Sequence, residues 1–472
     1  MSVTPAAARE ALRGAGKLAL VFDRHGRTRS GAELAHQVES IVGALAQACP
    51  PRPRVGVWYR NGIAAIEAFL GVEWAGGLRI PVDPGASAAE AEAIFAAAAA
   101  DIVITDRAHA NELRRAALVH DDEHPLDARP RSPAEYDPDA PYMIYPRSVT
   151  GGQLFGITMS YRNWMATIDT NIALYRSGRY GPWDETSEVY LTGQQLMHGT
   201  GFLGSFPFLA MGRPQVIIDT FEVATVLDAI ERHCVTATMC VPAMLNSLVD
   251  ALARRPAAGA TLRHVLYGGG PMSGEQIRTA VQRIGPALTQ VYGRVEGGWP
   301  IAMLTIDDHR ALLDANPALA SSCGRPIAEV QVALRPLPGQ AADQGELRVQ
   351  CAMTSRDYTD ADGWCSLGDV MRQDDAGYLY YQRRLDRMIN TGYHVYPDEV
   401  ESVIAGVAGV RAALVRGESH PRWGQMVVAY VVADEAAASH LLVDEVKAAL
   451  SDRLAKYKIP REIRVVAALP AS

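Results

Sequence analysis

Short apolar runs alternate with helical patterns along roughly the first hundred residues. The runs have the length of buried strands and lie at residues 18–22, 54–58, 79–82 and 102–105. Helical patterns begin after Ser30 and cover residues 64–74 and 88–100. Because a helix that links two strands usually brings them together in parallel, this alternation predicts an α/β fold with a mostly parallel sheet.

Local signals support several of these elements. Asp23–Gly26 marks a hairpin turn after the first run, and Ser30 with Glu33 has the spacing of a helix capping box. Ser87 with Glu90 repeats that spacing. Because alanine is the best helix former, the Ala-rich stretch that follows is predicted to be a helix.

The chain is too long for a single hydrophobic core. At 472 residues it is expected to form two or more domains. A change of domain is indicated after Arg383–Arg387, where a glycine-containing loop leads to a helix predicted from Pro397. Proline suits a first helical turn, and the acidic Asp398, Glu399 and Glu401 suit the positive end of the helix dipole.

Charge, cysteine usage and hydropathy exclude several classes of protein. The net charge is −8 and no Lys/Arg-rich block is present, so we expect no nucleic-acid partner. The six cysteines show no C-x-x-C spacing, which is typical of reduced thiols. Residues 1–15 lack the apolar core of a signal peptide, and no apolar run reaches the length of a membrane span. A soluble, cytoplasmic protein is therefore expected.

Asp369 and Arg384 form the first candidate ligand site. An Asp that closes a tight Gly turn can present two carboxylate oxygens to a vicinal diol. Arg384 returns to Asp369 if residues 375–377, Asp-Ala-Gly, form a hairpin turn. The pair is therefore predicted to bind a ribose, with an ordinary surface turn as the alternative.

Glycine-rich segments at the ends of predicted strands supply further candidates. The loop at residues 146–156 could surround a phosphate with backbone N–H groups, although an ordinary turn fits equally well. Gly268–Gly270 and the segment from Tyr292 to Glu296 each end an apolar strand, so they could wall one pocket. Tyr292 could stack on a base and Glu296 could hold a magnesium ion. A strand-end aromatic and a solvated carboxylate remain the alternatives.

His198 lies among glycines at the head of an apolar helix. A ligand could approach the backbone closely there. A lone histidine of this kind is, however, more often structural than catalytic.

Taken in this order, the motifs resemble those of the adenylate-forming superfamily of acyl-CoA synthetases, peptide-synthetase adenylation domains and luciferases. The resemblance covers residues 28–470 and is strongest to bacterial acyl- or aryl-CoA ligases. The stretches that carry it are His198–Gly201, Tyr267–Ser273, Asn390–Pro397 and Trp423–Gln425. It implies a large N-terminal domain of α/β subdomains, residues 1–385, and a small mobile α+β domain, residues 386–472, that rotates about Asp386.

The resemblance also implies the role of each candidate residue. Adenine would lie between Tyr292 and the glycines of the opposite turn, ribose would bind Asp369 with help from Arg384, and His198 would line the acyl pocket. The implied nucleotide-binding residues are Ser148, Thr150, Gly151, Gly268, Gly269, Gly270, Tyr292, Gly293, Asp369 and Arg384.

The implied cofactors and partners follow from the same resemblance. ATP or AMP would bind with Mg²⁺ on Glu296. A small organic acid would be the substrate, and the loop around Gly392 would serve transfer to a thiol or amine acceptor, with CoA or a carrier-protein phosphopantetheine as the candidate thiols.

Several residues depart from the family pattern. The family's phosphate loop reads Tyr-Thr-Ser-Gly-Thr-Thr-Gly-x-Pro-Lys-Gly, whereas the run from Tyr145 contains Pro146, Arg147 and Val149 and lacks the lysine. Arg147 could supply a substitute charge, and Pro146 removes an N–H donor. Two family threonines on the nucleotide side are replaced, by Val295 and Leu367.

The C-terminal lysine of the family is a further departure. The family continues a few residues beyond the position of Ser472 into a Gly-Lys pair, whose lysine bridges the substrate carboxylate and the α-phosphate. Neither Lys456 nor Lys458 occupies that position.

The sequence thus predicts a divergent ligase that activates a small acyl or aryl acid as an acyl-adenylate and passes it to a thiol or amine. His198, Glu296 and Arg147 are the predicted catalytic residues. Because one missing preorganised donor typically costs about 100- to 1000-fold in rate, the departures call efficient use of ATP into question. Two alternatives stay open: a weakened paralogue that binds a nucleotide or adenylate, and an enzyme with altered chemistry on this scaffold.

Overall fold

The computed structural model describes residues 4–14, 19–22, 26–150, 152–420, 424–434 and 439–470. They form a large N-terminal α/β body and a small C-terminal α+β body. The predicted fold class is confirmed. Gly151 and part of the predicted hairpin turn at residues 23–26 lie outside the described residues.

The larger of two mainly parallel sheets has nine strands among the described residues. In spatial order they are Arg325–Pro326, Gly298–Leu304, Leu288–Arg294, His264–Gly268, Ala237–Cys240, Tyr190–Thr192, Gln215–Ile217, Ala19–Phe22 and Arg27–Ser30. The six strands from Leu288–Arg294 to Ala19–Phe22 run parallel, and the strands at both edges are antiparallel. The sheet therefore presents the carboxyl ends of six strands along one rim.

The second sheet has six strands among the described residues. In spatial order they are Ala117–Val119, Ile102–Thr105, Arg54–Trp58, Leu78–Val82, Pro141–Thr150 and Gln153–Ser160, and all but the last run parallel. The first predicted strand does not join this sheet but pairs with Gln215–Ile217 in the larger one. Strand–helix alternation predicts crossover units, but it does not specify which strands become neighbours.

Helices cover the faces of both sheets and bury apolar side chains against them. Among the described residues of the N-terminal body they are Pro5–Gly14, Gly31–Ala48, Ile63–Trp74, Ala88–Ala97, Arg107–Ala110, Tyr161–Arg176, Gly199–Ala210, Val223–His233, Pro242–Arg254, Gly274–Ile284 and Ile306–Ala311. Ser30 and Glu33 form the predicted capping box.

The second predicted capping box forms only in part. Ser87 accepts from the backbone N–H of Glu90, but the Glu90 carboxylate accepts a hydrogen bond from Lys458 instead of completing the box. The helix also ends at Ala97, three residues earlier than predicted, since Ala99 adopts a left-handed φ of 50°. A tertiary ion pair has therefore overridden a local pattern.

A four-stranded antiparallel sheet completes the N-terminal body. Its strands are Gln331–Arg335, Gln344–Gln350, Cys365–Gln373 and Leu379–Arg384. The last two form a hairpin that brings Asp369 opposite Arg384. The predicted turn is confirmed, and Gly377 has a φ of +84° in it.

The C-terminal body has its own hydrophobic core. A short hairpin of Ile389–Asn390 and His394–Val395 precedes the helix Pro397–Ala405, which begins at the predicted proline. A sheet of Val410–His420, Gly424–Ala433 and Glu462–Val465 packs with the helix Ser439–Arg453. Among the described residues, no helix is both long and apolar enough to cross a membrane.

Candidate active site

Asp369 is the centre of the predicted ribose site. This residue is 3% exposed. Arg384 Nη1 donates to Asp369 Oδ1 at 2.6 Å, and the hydroxyl of Tyr292 donates to Asp369 Oδ2 at 2.6 Å. Gly368, just before it, adopts a φ of +71°. Three residues that the sequence assigned to one nucleotide site are therefore in direct contact.

The two glycine turns predicted to wall a pocket lie at the same sheet edge. Gly268 is the register partner of Val291 on the adjacent parallel strand. A Cβ atom on Gly268 would lie 2.2 Å from the carbonyl oxygen of Val291, so the close approach of the strands requires glycine there. Tyr292 follows Val291 directly. The stacking of adenine on Tyr292 stays a prediction.

Glu296 lies between two arginine side chains. Its Oε1 atom is 2.7 Å from Arg147 Nη2 and accepts from Arg294 Nε at 2.8 Å. Burial opposes ionisation of this carboxyl, but the charges of Arg294 and Arg147 outweigh it and lower the pKa of Glu296 to about 2. Glu296 is therefore an ionised, paired carboxylate.

No role for Arg294 was predicted from the sequence. Arg294 precedes Glu296 by two positions, a spacing that places two side chains on the same side of an extended chain. A basic residue at the end of an otherwise apolar strand was the available signal. The metal role of Glu296 stays a prediction, and the described residues contain no cluster of three or more His, Cys, Asp or Glu side chains suited to a metal.

The segment predicted to be either a phosphate loop or an ordinary turn forms a β-hairpin. Residues up to Thr150 form a strand that pairs antiparallel with the strand from Gln153, and the register joins Ser148 to Phe155 and Val149 to Leu154. The physical reason is packing, because Val149 and Leu154 lie against the apolar cluster of the Ala88–Ala97 helix. The conformation of the described residues matches the ordinary turn that the sequence left open as the alternative to a phosphate loop. Contacts of Ser148, Thr150 and Gly151 with a phosphate stay a prediction.

Arg147 extends from this hairpin to Glu296. Its guanidinium carbon is 5.2 Å from the ring centre of Tyr358 and 5.7 Å from that of Tyr396. Tyr396 belongs to the C-terminal body, so Arg147 contacts both bodies as well as Glu296. This position is compatible with the predicted substitute cation.

His198 occupies the N-terminal end of the helix Gly199–Ala210. Its Nε2 atom lies 2.6 Å from Asp83 Oδ2, and its Nδ1 atom lies 3.5 Å from the hydroxyl of Tyr145. Burial opposes the charge of Asp83, but the hydrogen bond and charge of His198 outweigh it and lower the pKa of that carboxyl. The Tyr393 ring lies 4.5 Å from the imidazole between centroids. Asp83, which orients the imidazole, was not identified in the sequence.

The loop around Gly392 faces the N-terminal body. Gly392 adopts a φ of +94°, and the neighbouring Asn390 donates from Nδ2 to the Gly269 carbonyl at 2.9 Å. Gly392 lines a cavity of about 700 Å³ between the bodies, together with Gly85, Val241, Met244, Tyr393, Gln425 and Tyr457. The predicted transfer loop therefore adjoins both the His198 site and an open cavity.

Asp386 lies at the junction of the two bodies. It accepts hydrogen bonds from Arg384 and from the backbone N–H of Met388. Arg384 therefore connects Asp369 to Asp386. A hinge at Asp386 stays a prediction.

Family models match most of the sequence. The AMP-binding enzyme model matches residues 7–359, and the model of the AMP-binding enzyme C-terminal domain matches residues 399–472. The chain belongs to the AMP-binding enzyme family. The predicted membership of the adenylate-forming superfamily is confirmed.

Curated members of the family that resemble this chain are CoA ligases and synthases. A medium/long-chain-fatty-acid–CoA ligase of Mycobacterium tuberculosis is 32% identical over 284 residues, which cover 56% of this chain and 48% of that protein. A feruloyl-CoA synthase of Amycolatopsis sp. is 27% identical over 476 residues, covering 95% of this chain and 92% of the synthase. The chain thus spans about half of the first relative's length and nearly all of the second's.

Solved structures of AMP-binding enzymes share the fold over the whole chain. The amide bond synthetase McbA of Marinactinospora thermotolerans superposes with a TM-score of 0.83 at 26% identity, covering 100% of this chain and 97% of that one. An o-succinylbenzoate CoA synthetase of Bacillus subtilis gives a TM-score of 0.82 at 22% identity, with 98% and 95% coverage, and shows the fold alone.

We expect replacement of His198 by alanine to change the preference among acid substrates and to leave AMP affinity nearly unchanged. The reason is that His198, which is predicted to line the acyl pocket, contacts Asp83 and Tyr393. The Asp369 carboxylate, which is predicted to bind the ribose, has other partners. Relative rates with a panel of acids and AMP titration calorimetry provide the measurements. A loss of AMP affinity with an unaltered acid preference would contradict this placement.

Proposed function

We propose that this chain is an adenylate-forming ligase that activates a small acyl or aryl acid as an acyl-adenylate and transfers it to a thiol or amine. The observation that carries the proposal is the convergence of Asp369, Arg384 and Tyr292 beside the paired glycine turns. Asp369 supplies an acceptor for a diol, Arg384 supplies a cation that orients this acceptor, and Tyr292 supplies an aromatic ring. Tyr292 lies near the carboxyl end of a parallel strand, where open α/β sheets bind ligands.

The chemistry follows from the weakness of carboxylates as electrophiles. The substrate carboxylate attacks the α-phosphorus of ATP, pyrophosphate leaves, and the resulting mixed anhydride is a good acyl donor. Asp369 would orient the ribose and Arg147 would stabilise charge that develops on phosphate. Preorganised cations of this kind act on the transition state more than on the ground state.

Magnesium fits the site under one condition. Mg²⁺ is commonly bound by one or two carboxylates together with substrate phosphates, and Glu296 provides one carboxylate. The Glu296 Oε1 atom already contacts Arg147 and Arg294. The ion would therefore bind together with the nucleotide, whose phosphates would replace Glu296 as the partner of the two arginines. Magnesium would neutralise phosphate charge during activation.

The acceptor and the compartment are the finer parts of the proposal. The cavity at Gly392 is large enough for an extended chain such as the pantetheine arm of CoA or of a carrier protein, and it would also admit an amine. All six cysteines are free thiols, as expected in the cytoplasm. A reducing cytoplasm would also keep a thiol acceptor reactive.

Magnesium-dependent release of pyrophosphate tests the proposal. The purified chain is incubated with ATP, Mg²⁺ and a panel of small acyl and aryl acids, and pyrophosphate is measured with and without each acid. We expect acid-dependent release that stops when magnesium is chelated. Nucleotide binding without release for any acid would instead favour the second candidate.

That second candidate is a protein that binds a nucleotide or adenylate but forms it poorly. Two observations favour it: the phosphate segment is a closed hairpin, and Glu296 is occupied by two arginines. Consumption of a supplied acyl-adenylate without its formation from ATP would support this alternative.

A domain rotation about Asp386 is part of the proposed cycle, and a buried ion pair would oppose it. Lys458 Nζ donates to Glu90 Oε1 at 2.7 Å and to Glu399 Oε1 at 3.0 Å. Glu90 belongs to the N-terminal body, whereas Glu399 and Lys458 belong to the small one. Rotation would separate Lys458 from Glu90 and leave its contact with Glu399 intact.

In the present orientation the predicted transfer loop around Gly392 faces the N-terminal body, so this orientation would serve the transfer step. We expect Glu90→Gln to lower the ratio of the transfer rate to the adenylation rate by about tenfold, because it loses a charged hydrogen bond that favours this orientation. Glu399→Gln is the matched control, since both variants leave one lysine against one carboxylate. Single-turnover rates of the two half-reactions give the ratio. Equal ratios in the two variants would contradict an orienting role for Glu90.

A further inference from the structure

Arg294 is a buried cation that lies close to two carboxylates of the proposed nucleotide site. Arg294 is 8% exposed. Its Nε atom donates to Glu296 Oε1 at 2.8 Å, and its Nη1 atom lies 3.9 Å from Asp369 Oδ2. Arg294 therefore lies between the carboxylate assigned to ribose and the carboxylate assigned to magnesium.

If the ribose of a nucleotide binds Asp369, the α-phosphate of that nucleotide would lie close to Arg294. The α-phosphate of a nucleotide is joined to the ribose ring through one carbon and one oxygen, so a cation beside the ribose carboxylate is within reach of it. Guanidinium groups carry five N–H donors in a planar fork that matches phosphate oxygens. Burial strengthens such a contact because less water competes for the donors.

The Glu296 carboxylate already holds two guanidinium groups together. Arg147 Nη2 and Arg294 Nε both contact the same oxygen, at 2.7 and 2.8 Å. An anionic oxygen bound by two arginines is the arrangement that a phosphoryl oxygen would require. The carboxylate thus keeps both side chains in place while no phosphate is bound.

The charges of the ion-pair network that includes Glu296 are balanced. Three arginines, Arg147, Arg294 and Arg384, face three carboxylates, Glu296, Asp369 and Asp386. AMP that arrives with a divalent cation would add little net charge. The two arginines on Glu296 would then bind phosphate, and Glu296 would hold the cation.

We propose that Arg294 binds the α-phosphate of the nucleotide and, with Arg147, replaces the phosphate-loop lysine that this chain lacks. The inference rests on the proposed function, because it takes the ribose to lie on Asp369. Arg294 is then a binding residue for the phosphate rather than a structural partner of Glu296.

Titration calorimetry with adenosine and AMP tests this assignment, since the two ligands differ only in the phosphate. We expect Arg294→Met to weaken AMP binding about 10- to 100-fold, the range for a lost charged hydrogen bond, and to change adenosine affinity less than about twofold. Arg384→Met should weaken both ligands alike, because Arg384 orients the ribose carboxylate. Arg383→Met, at an exposed neighbouring position, should affect neither.

A second pair of variants separates binding from folding. Arg294→Met leaves Glu296 with one fewer partner and can destabilise the chain. The double variant Arg294→Met/Glu296→Gln restores the charge balance and is compared with Glu296→Gln alone. The ratio of AMP to adenosine affinity should again fall about 10- to 100-fold.

Equal ratios in the double and single variants, or a parallel loss of adenosine and AMP affinity, would overturn the role of Arg294 while leaving the proposed function intact. If the unaltered protein binds neither adenosine nor AMP, the proposed function fails, and the inference that rests on it fails too.

Discussion

Replacement of Arg147 by alanine is expected to reduce ATP-dependent formation of the acyl-adenylate by about 100- to 1000-fold, the cost of losing one preorganised group that stabilises a transition state. Arg147 extends from the segment where the family carries its phosphate-loop lysine, and it contacts Glu296 at 2.7 Å. Transfer from a supplied acyl-adenylate should change less, because that step releases AMP and develops no charge on a pyrophosphate leaving group. Single-turnover measurements of the two half-reactions would show the difference.

Two further variants make the Arg147 result specific. Arg147→Lys keeps the charge but loses the planar fork, so we expect an intermediate rate. Arg356→Ala removes an exposed arginine that forms an ion pair with Asp139, and it should leave both half-reactions unchanged. Unaltered adenylation in Arg147→Ala would show that another group stabilises the phosphate charge.

Replacement of Asp369 by alanine is expected to weaken AMP or adenylate binding by at least about 1.5 to 3 kcal/mol, the contribution of a charged hydrogen bond. Its two carboxylate oxygens are the predicted acceptors for the ribose diol, and they bind Arg384 and Tyr292 in the structure. Titration calorimetry measures the affinity directly. Unchanged nucleotide affinity would refute the ribose assignment.

The fold must be checked in the same experiment, because Asp369→Ala leaves the Arg384 side chain, which is 9% exposed, without one carboxylate partner. Asp369→Asn keeps the shape and removes the charge, so it should weaken AMP while disturbing the hairpin less. Asp362→Ala, at an exposed loop position, is the matched control and should bind AMP like the unaltered protein. Thermal unfolding of all three variants separates lost binding from lost structure.

The sequence determined those features whose causes are local. The hairpin that pairs Asp369 with Arg384 follows from a turn of Asp, Ala and Gly, because loop length and turn residues set the register of the strands. The capping box at Ser30 and the helix start at Pro397 are decided within one turn of helix. The order of such motifs was also sufficient to indicate the family, which the family models confirmed.

The sequence could not predict contacts between distant segments. Asp83 contacts His198 across 115 positions, and Lys458 contacts Glu90 across 368. No local pattern encodes such pairs, because each side chain is compatible with a solvated surface position. Packing within the N-terminal body brings Asp83 to His198, and contact between the two bodies brings Lys458 to Glu90.

The tertiary structure also decided between alternatives that the sequence left open. The phosphate segment has glycines and hydroxyl residues suited to a loop, but its apolar residues Val149 and Leu154 pack on the Ala88–Ala97 helix and extend the strands into a hairpin. For Glu296 the sequence left a magnesium ligand or a solvated carboxylate open, and the structure excludes the solvated carboxylate. Glu296 is buried in an ion pair with Arg147 and Arg294, because a buried carboxylate is stabilised when cations compensate for its lost hydration.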